Sequence, residues 1–262
     1  MATETNKKAP PKESSSKKPE KKHETTMEFI SSMAVVLVVG LFIITFNLQA
    51  FEIPSSSMEN TLLIGDHVFV DRVTVAPKTN WMPLIPYRTP RHGDIIVFLS
   101  PAEPGLYVVK RIMGIPGDHI RLKDGVVYRN GEALNEPYVI HIPDSYNPYR
   151  DNFPDVPPPE GMITPEWHLE MSSYIQNGEL VVPPGRYFGM GDNRDVSYDS
   201  RYFGFIPQEN VIGRPMFIYW SFETPAGQYQ KTSIGERVSF IAKVVIHFFD
   251  QTRWRRMFHV VR

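Results

Sequence analysis

Three serines in a row, Ser55 to Ser57, follow Pro54 and precede Met58. On residue preference alone such a run forms a turn or a helix cap, because serine side chains bond nearby backbone amides and proline fixes its own φ. A serine hydroxyl becomes a nucleophile where a positioned base takes its proton, and histidine or a lysine of lowered pKa can serve. The run is therefore either a plain turn or a candidate nucleophile site.

The candidate base is Lys110. Five lysines follow Phe51, and Lys110 is the one that lies in a predicted strand, the apolar run 107–112. In a strand, Val108, Lys110 and Ile112 share one face. Burial of that face would lower the lysine pKa from about 10.4 and make the neutral amine available as a general base. The alternative is a lysine on an edge strand, with its stem packed and its ammonium in water.

A dense polar run, residues 191–201, contains three aspartates, two serines and two arginines. Its arginines argue against a calcium loop, which supplies oxygen ligands and ends in glutamate. A network of Asp and Arg that holds Ser197 fits better, and a serine hydroxyl can accept a hydrogen bond from a lysine.

The histidines show no spacing typical of metal ligands, so we expect no metal and no other cofactor.

Composition removes other classes of function. The 262 residues carry a net charge of −1, and seven lysines lie before residue 23, so the domain has no basic face for nucleic acid. The chain contains no cysteine, which excludes thiolate nucleophiles, disulfides and cysteine-ligated zinc. We therefore expect no nucleic-acid partner.

The N-terminal part of the chain indicates a membrane anchor. Residues 1–27 are polar and lysine-rich, and we expect a disordered cytoplasmic tail. No charged residue occurs from Phe29 to Phe51, and a helix of that length spans about 34 Å, so residues 28–51 are predicted to be a single transmembrane helix. Positive residues before it place the later residues outside the cytoplasm. The alternative is a cleaved signal peptide ending near Ala50.

Residues 52–236 show the pattern of a mostly β, antiparallel domain, because short apolar runs alternate with Gly and Pro turn signals. Asp124-Gly125 and Asn130-Gly131 are strong hairpin signals. Residues 141–180 are rich in proline, and we expect an irregular insertion with little core of its own. Residues 237–262 are predicted to form an amphipathic helix that lies on the domain or in the membrane interface, and both readings stay open.

Three segments in order resemble the bacterial type I signal peptidases, a family of membrane-bound Ser/Lys endopeptidases. They are residues 54–66, residues 107–118 and residues 191–205. The resemblance implies that Ser57 is the nucleophile, that Lys110 is the general base, and that Ser55 donates to the oxyanion beside the Ser57 amide. It further implies roles that position these groups: Ser197 orients Lys110, Asp199 and Arg201 fix the Ser197 loop, and Asp192 pairs with Arg111.

The resemblance also implies the cellular location, the substrate and the partners. It predicts a single-pass protein of the bacterial inner membrane whose extracytoplasmic β domain cleaves signal peptides from exported precursor proteins, in contact with lipid and near the export translocon. Two other readings are a Ser/Lys protease that cuts itself, as self-cleaving repressors do, and an anchored β module without catalytic activity that binds partners in the cell envelope.

Overall fold

The structure, a computed structural model, describes residues 25–75 and 87–262. The chain divides into two compact units, the first ending at Leu41 and the second running from Phe42 to Arg262. Nearly all of the predicted lysine-rich tail lies outside the described residues. The segments that carry the family resemblance lie in the second unit, which contains every strand that the structure describes.

Helix α1 is Thr26–Phe46, and it carries no charged residue after Glu28. Among the residues that the structure describes, no helix has both the length and the apolar character needed to cross a bilayer. The transmembrane helix therefore stays a prediction. The predicted end at Phe51 was wrong for the helix, because Leu48–Glu52 forms a strand whose backbone pairs with Asp66–Asp71 instead.

The described residues of the second unit form twelve strands. In chain order they are β1 Leu48–Glu52, β2 Asp66–Asp71, β3 Ile95–Leu99, β4 Tyr107–Gly114, β5 His119–Lys123, β6 Val126–Arg129, β7 Glu132–Ala133, β8 Ile175–Gln176, β9 Glu179–Val181, β10 Arg186–Met190, β11 Ile206–Pro207 and β12 Val211–Ser221. All pairings between these strands are antiparallel. The prediction of a mostly β, antiparallel domain is confirmed.

The strands form two sheets. The larger has the order β1-β2-β12-β3-β4-β10-β11, and the smaller has the order β7-β6-β5-β9-β8. The two predicted hairpins join β5 to β6 and β6 to β7. Both turns use an Asp-Gly or Asn-Gly pair with positive φ at each residue, as tight hairpin turns require. In the larger sheet β4 lies between β3 and β10, so it is an interior strand.

The Pro-rich insertion contains two short helices, α2 Pro148–Asp151 and α3 Pro165–Glu170. Its side chains do not form a separate core but join the core of the domain. Tyr149, Phe153 and Trp167 are almost fully buried and pack in one cluster with residues of β5 and β6. Prolines interrupt the regular elements of this segment, but its aromatic side chains still bury a large apolar area.

The C-terminal part holds two further helices, α4 Ser200–Phe203 and α5 Ile234–Ile246. The single helix predicted for residues 237–262 is therefore too long at its C-terminal end. The chain after α5 returns to β12, where Thr252 bridges Phe222 and Val260 bridges Phe217. Strand β3 pairs only with Val211 and Gly213 at the start of β12, so the later residues of β12 have one free side. This side bonds the C-terminal segment in place of a continued helix.

Candidate active site

The serine run forms a short turn with a buried anchor. Residues 56–58 make one turn of 3-10 helix, and Ser55 precedes it in an extended conformation without a side-chain capping bond. Met58 is buried beside Ile53 and Leu62, which fixes the turn against the domain core. Ser57 stays half-buried, so its hydroxyl is held in place and still reachable.

Lys110 reaches this turn from β4. Its side chain is 2% exposed, and its Nζ lies 2.8 Å from Ser57 Oγ. The reading of Lys110 as a solvated lysine on an edge strand is wrong, because β4 is interior and the amine is buried. The structure thus joins two residues that are 53 positions apart in the sequence.

Burial lowers the pKa of Lys110 from 10.5 to about 8. The carboxylates of Asp199 and Asp192 oppose this change because they favour the ammonium, whereas the Arg201 guanidinium adds to it. A lysine with this pKa is partly neutral near neutral pH, which an ordinary solvated lysine is not. The amine can therefore accept a proton from the adjacent Ser57 hydroxyl.

Ser55 Oγ lies 3.4 Å from Ser57 Oγ, and the Ser55 side chain is exposed. The two hydroxyls therefore face the same side of the turn. Because the Ser55 side chain does not cap the turn, its O–H remains available to a group that approaches Ser57.

Ser197 lies beside the serine turn, but it makes no hydrogen bond to Lys110 in the described structure. Its Oγ is buried and has no partner with hydrogen-bonding geometry, although it is near enough to Asp199 to help lower the pKa of that carboxyl. Gly191 allows the close approach. A Cβ at this glycine would lie 2.3 Å from Ser197 Oγ and 2.4 Å from the carbonyl oxygen of Ser57, distances that no side chain permits.

Asp199 and Arg201 form a fully buried ion pair. Arg201 donates from Nε and Nη2 to the two carboxylate oxygens of Asp199 at 2.9 and 2.8 Å. Burial alone would raise the pKa of Asp199, but the Arg201 charge and its hydrogen bonds outweigh burial and hold the pKa below 3.8. Asp199 also accepts from the Gly191 amide at 3.1 Å, so the pair is tied to the glycine next to Ser57.

Arg111 and Asp192 form the ion pair that the sequence predicted. Arg111 Nε and Nη2 donate to Asp192 at 2.8 and 2.7 Å, and both side chains are buried. Arg111 also donates to the carbonyl oxygen of Gly93, and its guanidinium lies 3.8 Å from the ring centre of Tyr138. These contacts fix the strand residue that directly follows Lys110.

Sequence reasoning missed Asn193, although it lies within the polar run. Its backbone N–H donates to the carbonyl oxygen of Ser57 at 3.1 Å, and its side-chain amide donates to Glu59 at 3.3 Å. The bond to Ser57 uses the backbone N–H, which every residue type except proline carries, so the residue type gave no signal.

Sequence reasoning also missed Arg253 and Arg256. Arg256 donates to the buried Asp66 at 2.6 and 3.1 Å and to the carbonyl oxygen of Thr61 at 3.0 Å. Arg253 donates to the carbonyl oxygen of Ile64 at 2.9 Å. The two arginines therefore hold both ends of residues 61–66, the segment that follows the serine turn. In the sequence analysis they were only part of the predicted amphipathic helix 237–262.

Comparison with known proteins identifies the family of this chain. The family model described as signal peptidase, peptidase S26, matches residues 26–220. The chain belongs to this family. A signal peptidase I of Pseudomonas fluorescens is 32% identical over 225 residues, covering 78% of this chain and 76% of the relative. A signal peptidase I of Rickettsia typhi is 30% identical, covering 77% of this chain and 83% of the relative.

A solved signal peptidase I from Enterococcus faecalis is 34% identical, covers 48% of this chain and 97% of that chain, and has a TM-score of 0.36. Membership of the signal peptidase family makes this chain a serine endopeptidase. The family match ends at residue 220, so it does not account for the segment that carries α5, Arg253 and Arg256.

Proposed function

We propose that this peptidase removes N-terminal signal peptides from exported precursor proteins, with Ser57 as nucleophile and Lys110 as general base. The observation that carries the proposal is the distance of 2.8 Å between Ser57 Oγ and a Lys110 amine that is almost fully buried. The relatives named signal peptidase I support the class of substrate.

In the first step Ser57 Oγ attacks the carbonyl carbon of the scissile peptide bond while neutral Lys110 takes the hydroxyl proton. The resulting ammonium then gives this proton to the leaving amine as the C–N bond breaks. The products of this half-reaction are an ester on Ser57 and a free amino terminus on the mature protein.

In the second step a water molecule attacks the ester carbonyl, and Lys110 again accepts the proton and returns it to Ser57 Oγ. The signal peptide leaves with a new carboxylate, and the enzyme is restored. Neither step needs a metal or another cofactor, since one amine performs each proton transfer.

The oxyanion of each tetrahedral intermediate is stabilised by the Ser55 hydroxyl and the Ser57 backbone N–H. The exposed and uncapped Ser55 side chain, 3.4 Å from Ser57 Oγ, supports its part of this role. A preorganised donor of this kind is typically worth about 3 kcal/mol.

The other predicted residues position the dyad. Asp199 and Arg201 fix the loop that holds Ser197 against the serine turn, and their opposite charges set the electrostatic environment of Lys110. Ser197 orients the Lys110 amine when that amine moves to receive the proton. Arg111 and Asp192 hold β4 in register beside Lys110.

The enzyme works at the bacterial inner membrane as a single-pass protein with a cytoplasmic N-terminus and an extracytoplasmic catalytic domain. The uncharged stretch from Phe29 to Phe51 and the lysines before it support this topology. The partners are signal peptides and lipid, and the location places the enzyme near the export translocon.

The test compares Ser57→Ala and Lys110→Ala with Ser56→Ala, a serine of the same turn without an assigned role. The first two variants are expected to lose cleavage of a precursor by at least about a thousandfold while keeping the far-UV circular dichroism of the parent, and Ser56→Ala is expected to retain activity. An acylating inhibitor is expected to add its mass to the peptide containing Ser57. Parent-rate cleavage by either dyad variant, or an adduct on Ser56, overturns the proposal.

A further inference from the structure

Helix α5 turns its apolar side away from the domain. At 100° per residue, Ile234, Val238, Ile241 and Val245 lie along one stripe of the helix, and these four side chains are between 60 and 83% exposed. Within the described part of the chain, this stripe is uncovered. We call these four residues the α5 stripe.

The side of α5 that faces the domain is the more polar one. Phe240, Lys243, Val244 and His247 are half-buried, and the ring of Phe240 lies 6.3 Å from the ring of Phe222. A surface helix of a globular domain normally buries its apolar stripe and exposes its charges. The orientation of α5 is the reverse, so the α5 stripe is available to an apolar surface outside the domain.

An aromatic cluster follows the helix. Phe248, Phe249 and Trp254 have ring centres 5.2 to 6.3 Å apart, and Phe249 is 81% exposed. The indole N–H of Trp254 donates to the carbonyl oxygen of Phe249, which satisfies its polar group. Exposed aromatic side chains with a satisfied polar edge are typical of residues that lie at the boundary between lipid and water.

The charge of the residues around the α5 stripe indicates which kind of partner covers it. Residues 231–262 contain seven Lys and Arg against two acidic residues. Lys231, Arg237 and Arg255 are exposed near the helix and the aromatic cluster. Basic side chains around an apolar stripe complement an anionic lipid surface, because the headgroups pair with the cations while the stripe enters the acyl boundary. A second copy of this basic segment would be repelled by the same charge.

We infer that α5 and the aromatic cluster bind the surface of a bilayer that contains anionic lipid, with the helix lying in the plane of the headgroups. This inference rests on the membrane location under the proposed function. A helix of 13 residues is about 20 Å long, which is too short to cross a hydrocarbon core of about 30 Å. The contact lies in residues 221–262, the part of the chain after the family match, and gives the catalytic domain a lipid contact of its own.

The experiment uses the full chain, which contains no cysteine and so allows one label at a chosen position. Val238→Cys and Val245→Cys place an environment-sensitive fluorophore on the α5 stripe, and Ser239→Cys places it on an exposed position of the other side as a matched control. Each protein is reconstituted into vesicles of phosphatidylcholine, with or without phosphatidylglycerol, that contain a lipid brominated on its acyl chain.

We expect quenching at positions 238 and 245 to be at least about threefold stronger than at position 239, and stronger with phosphatidylglycerol than without it. Equal quenching at the three positions, or no effect of the anionic lipid, overturns the inference. Disulfide-linked dimers of Val238→Cys under mild oxidation would assign the stripe to a second copy and would also overturn it.

Precursor cleavage is measured on the same vesicles. Cleavage with equal quenching at the three positions overturns the lipid contact alone. The expected quenching pattern without cleavage supports the lipid contact and counts against the proposed function.

Discussion

Two opposing effects act on the protonation state of the Lys110 amine. In the proposed role of general base this amine must lose a proton near neutral pH, yet two carboxylates, Asp192 and Asp199, lie near enough to favour the charged form. Each carboxylate has its own arginine, Arg111 and Arg201 respectively, in a bidentate pair. Burial is the largest effect on the pKa of Lys110 and lowers it, and the Arg201 guanidinium adds to this effect.

The pH dependence of turnover reports on this balance. The base must be neutral, and burial brings the pKa of Lys110 to about 8, so activity is expected to rise with pH through about 8 and then level off. Below that value kcat/KM should fall about tenfold per pH unit. Steady-state rates from pH 5 to 10 on a stable peptide substrate measure the acidic limb of the pH profile. A limb near pH 6.5 would instead point to a histidine.

The charge on Asp199 should move that limb. In Asp199→Asn the amine loses a carboxylate that raises its pKa, while Arg201, which lowers it, remains. The acidic limb is therefore expected to shift to lower pH by about one unit. The double variant Asp199→Asn/Arg201→Met removes both charges and is the control, with a limb closer to that of the parent. A shift to higher pH in the single variant would contradict the assignment of Lys110 as the base.

The Ser55 hydroxyl gives a separate prediction. Ser55→Ala is expected to lower kcat by about a hundredfold or more with little change in KM, because the oxyanion exists only in the transition state and the intermediates. Ser55→Thr keeps the hydroxyl and should retain most of the activity. Burst kinetics with an ester substrate measure the acylation rate directly. An equal loss in the two variants would show that the position matters through packing and not through its O–H.

The sequence predicted which residues meet at this site but not every contact among them. Ser57 and Lys110 were found because a serine turn and a buried-strand lysine occur in the order typical of one family. The bond from Asn193 to Ser57 was not predictable, since it depends on the backbone path of a loop. The lack of a hydrogen bond between Ser197 and Lys110 could not be predicted either, because it depends on side-chain positions within a buried site.

At the scale of elements, the segment that follows α5 supports the serine turn. Val261 is buried in the same cluster as Met58, the residue after Ser57. Arg256 binds Asp66 and the carbonyl oxygen of Thr61, which closes the segment between the turn and β2. The position of Ser57 therefore depends on residues that lie outside the family match.

Loss of the Arg256 contacts should affect catalysis more than substrate binding. Arg256→Gln is expected to lower kcat by about tenfold or more, with a small change in KM, because a displaced nucleophile loses its alignment with the base. Arg255→Gln is the matched control, since Arg255 is exposed and adjacent in sequence. Rates are expressed per site titrated with an acylating inhibitor, so that unfolded protein does not count. An unchanged kcat per titrated site would assign Arg256 to stability alone.

The sequence predicted some secondary-structure elements correctly and missed others. Strand β4 was predicted because residues 107–112 form a short apolar run, a pattern typical of strands. Strand β1 was assigned to the helix because its residues continue the uncharged run, and only pairing with β2 separates the two. The buried aromatic residues of the insertion were not predicted, because a high proline content indicates irregular structure and says nothing about which aromatic side chains pack.

At the scale of the whole molecule, several carboxylates stabilise the fold only while ionised. The pKa values of Asp94, Asp118 and Asp199 lie below 3.8 in the folded state, because hydrogen bonds and cations outweigh the effect of burial. A group whose pKa is lower in the folded state adds stability above its unfolded pKa and loses it as pH falls through the folded value. The domain is therefore expected to lose stability below about pH 4.

Urea unfolding at pH 7, 5, 4 and 3 measures this effect. We expect the urea midpoint to change little between pH 7 and 5 and to fall from pH 4 to 3, as these carboxylates become protonated. The decrease should be smaller in Arg88→Gln, in which Asp94 loses its ion pair. A midpoint that stays constant to pH 3 would contradict the lowered pKa values.

The contacts that position Ser57 join distant parts of the chain. Lys110 is 53 residues from Ser57, and the bonds from Arg253 and Arg256 to residues 61–66 cross about 190 residues. A nascent or partly denatured chain therefore cannot assemble a working reaction centre from one local stretch. We therefore expect full proteolytic activity only after these distant segments have packed together, so a newly made chain should cut other proteins poorly until its domain has folded.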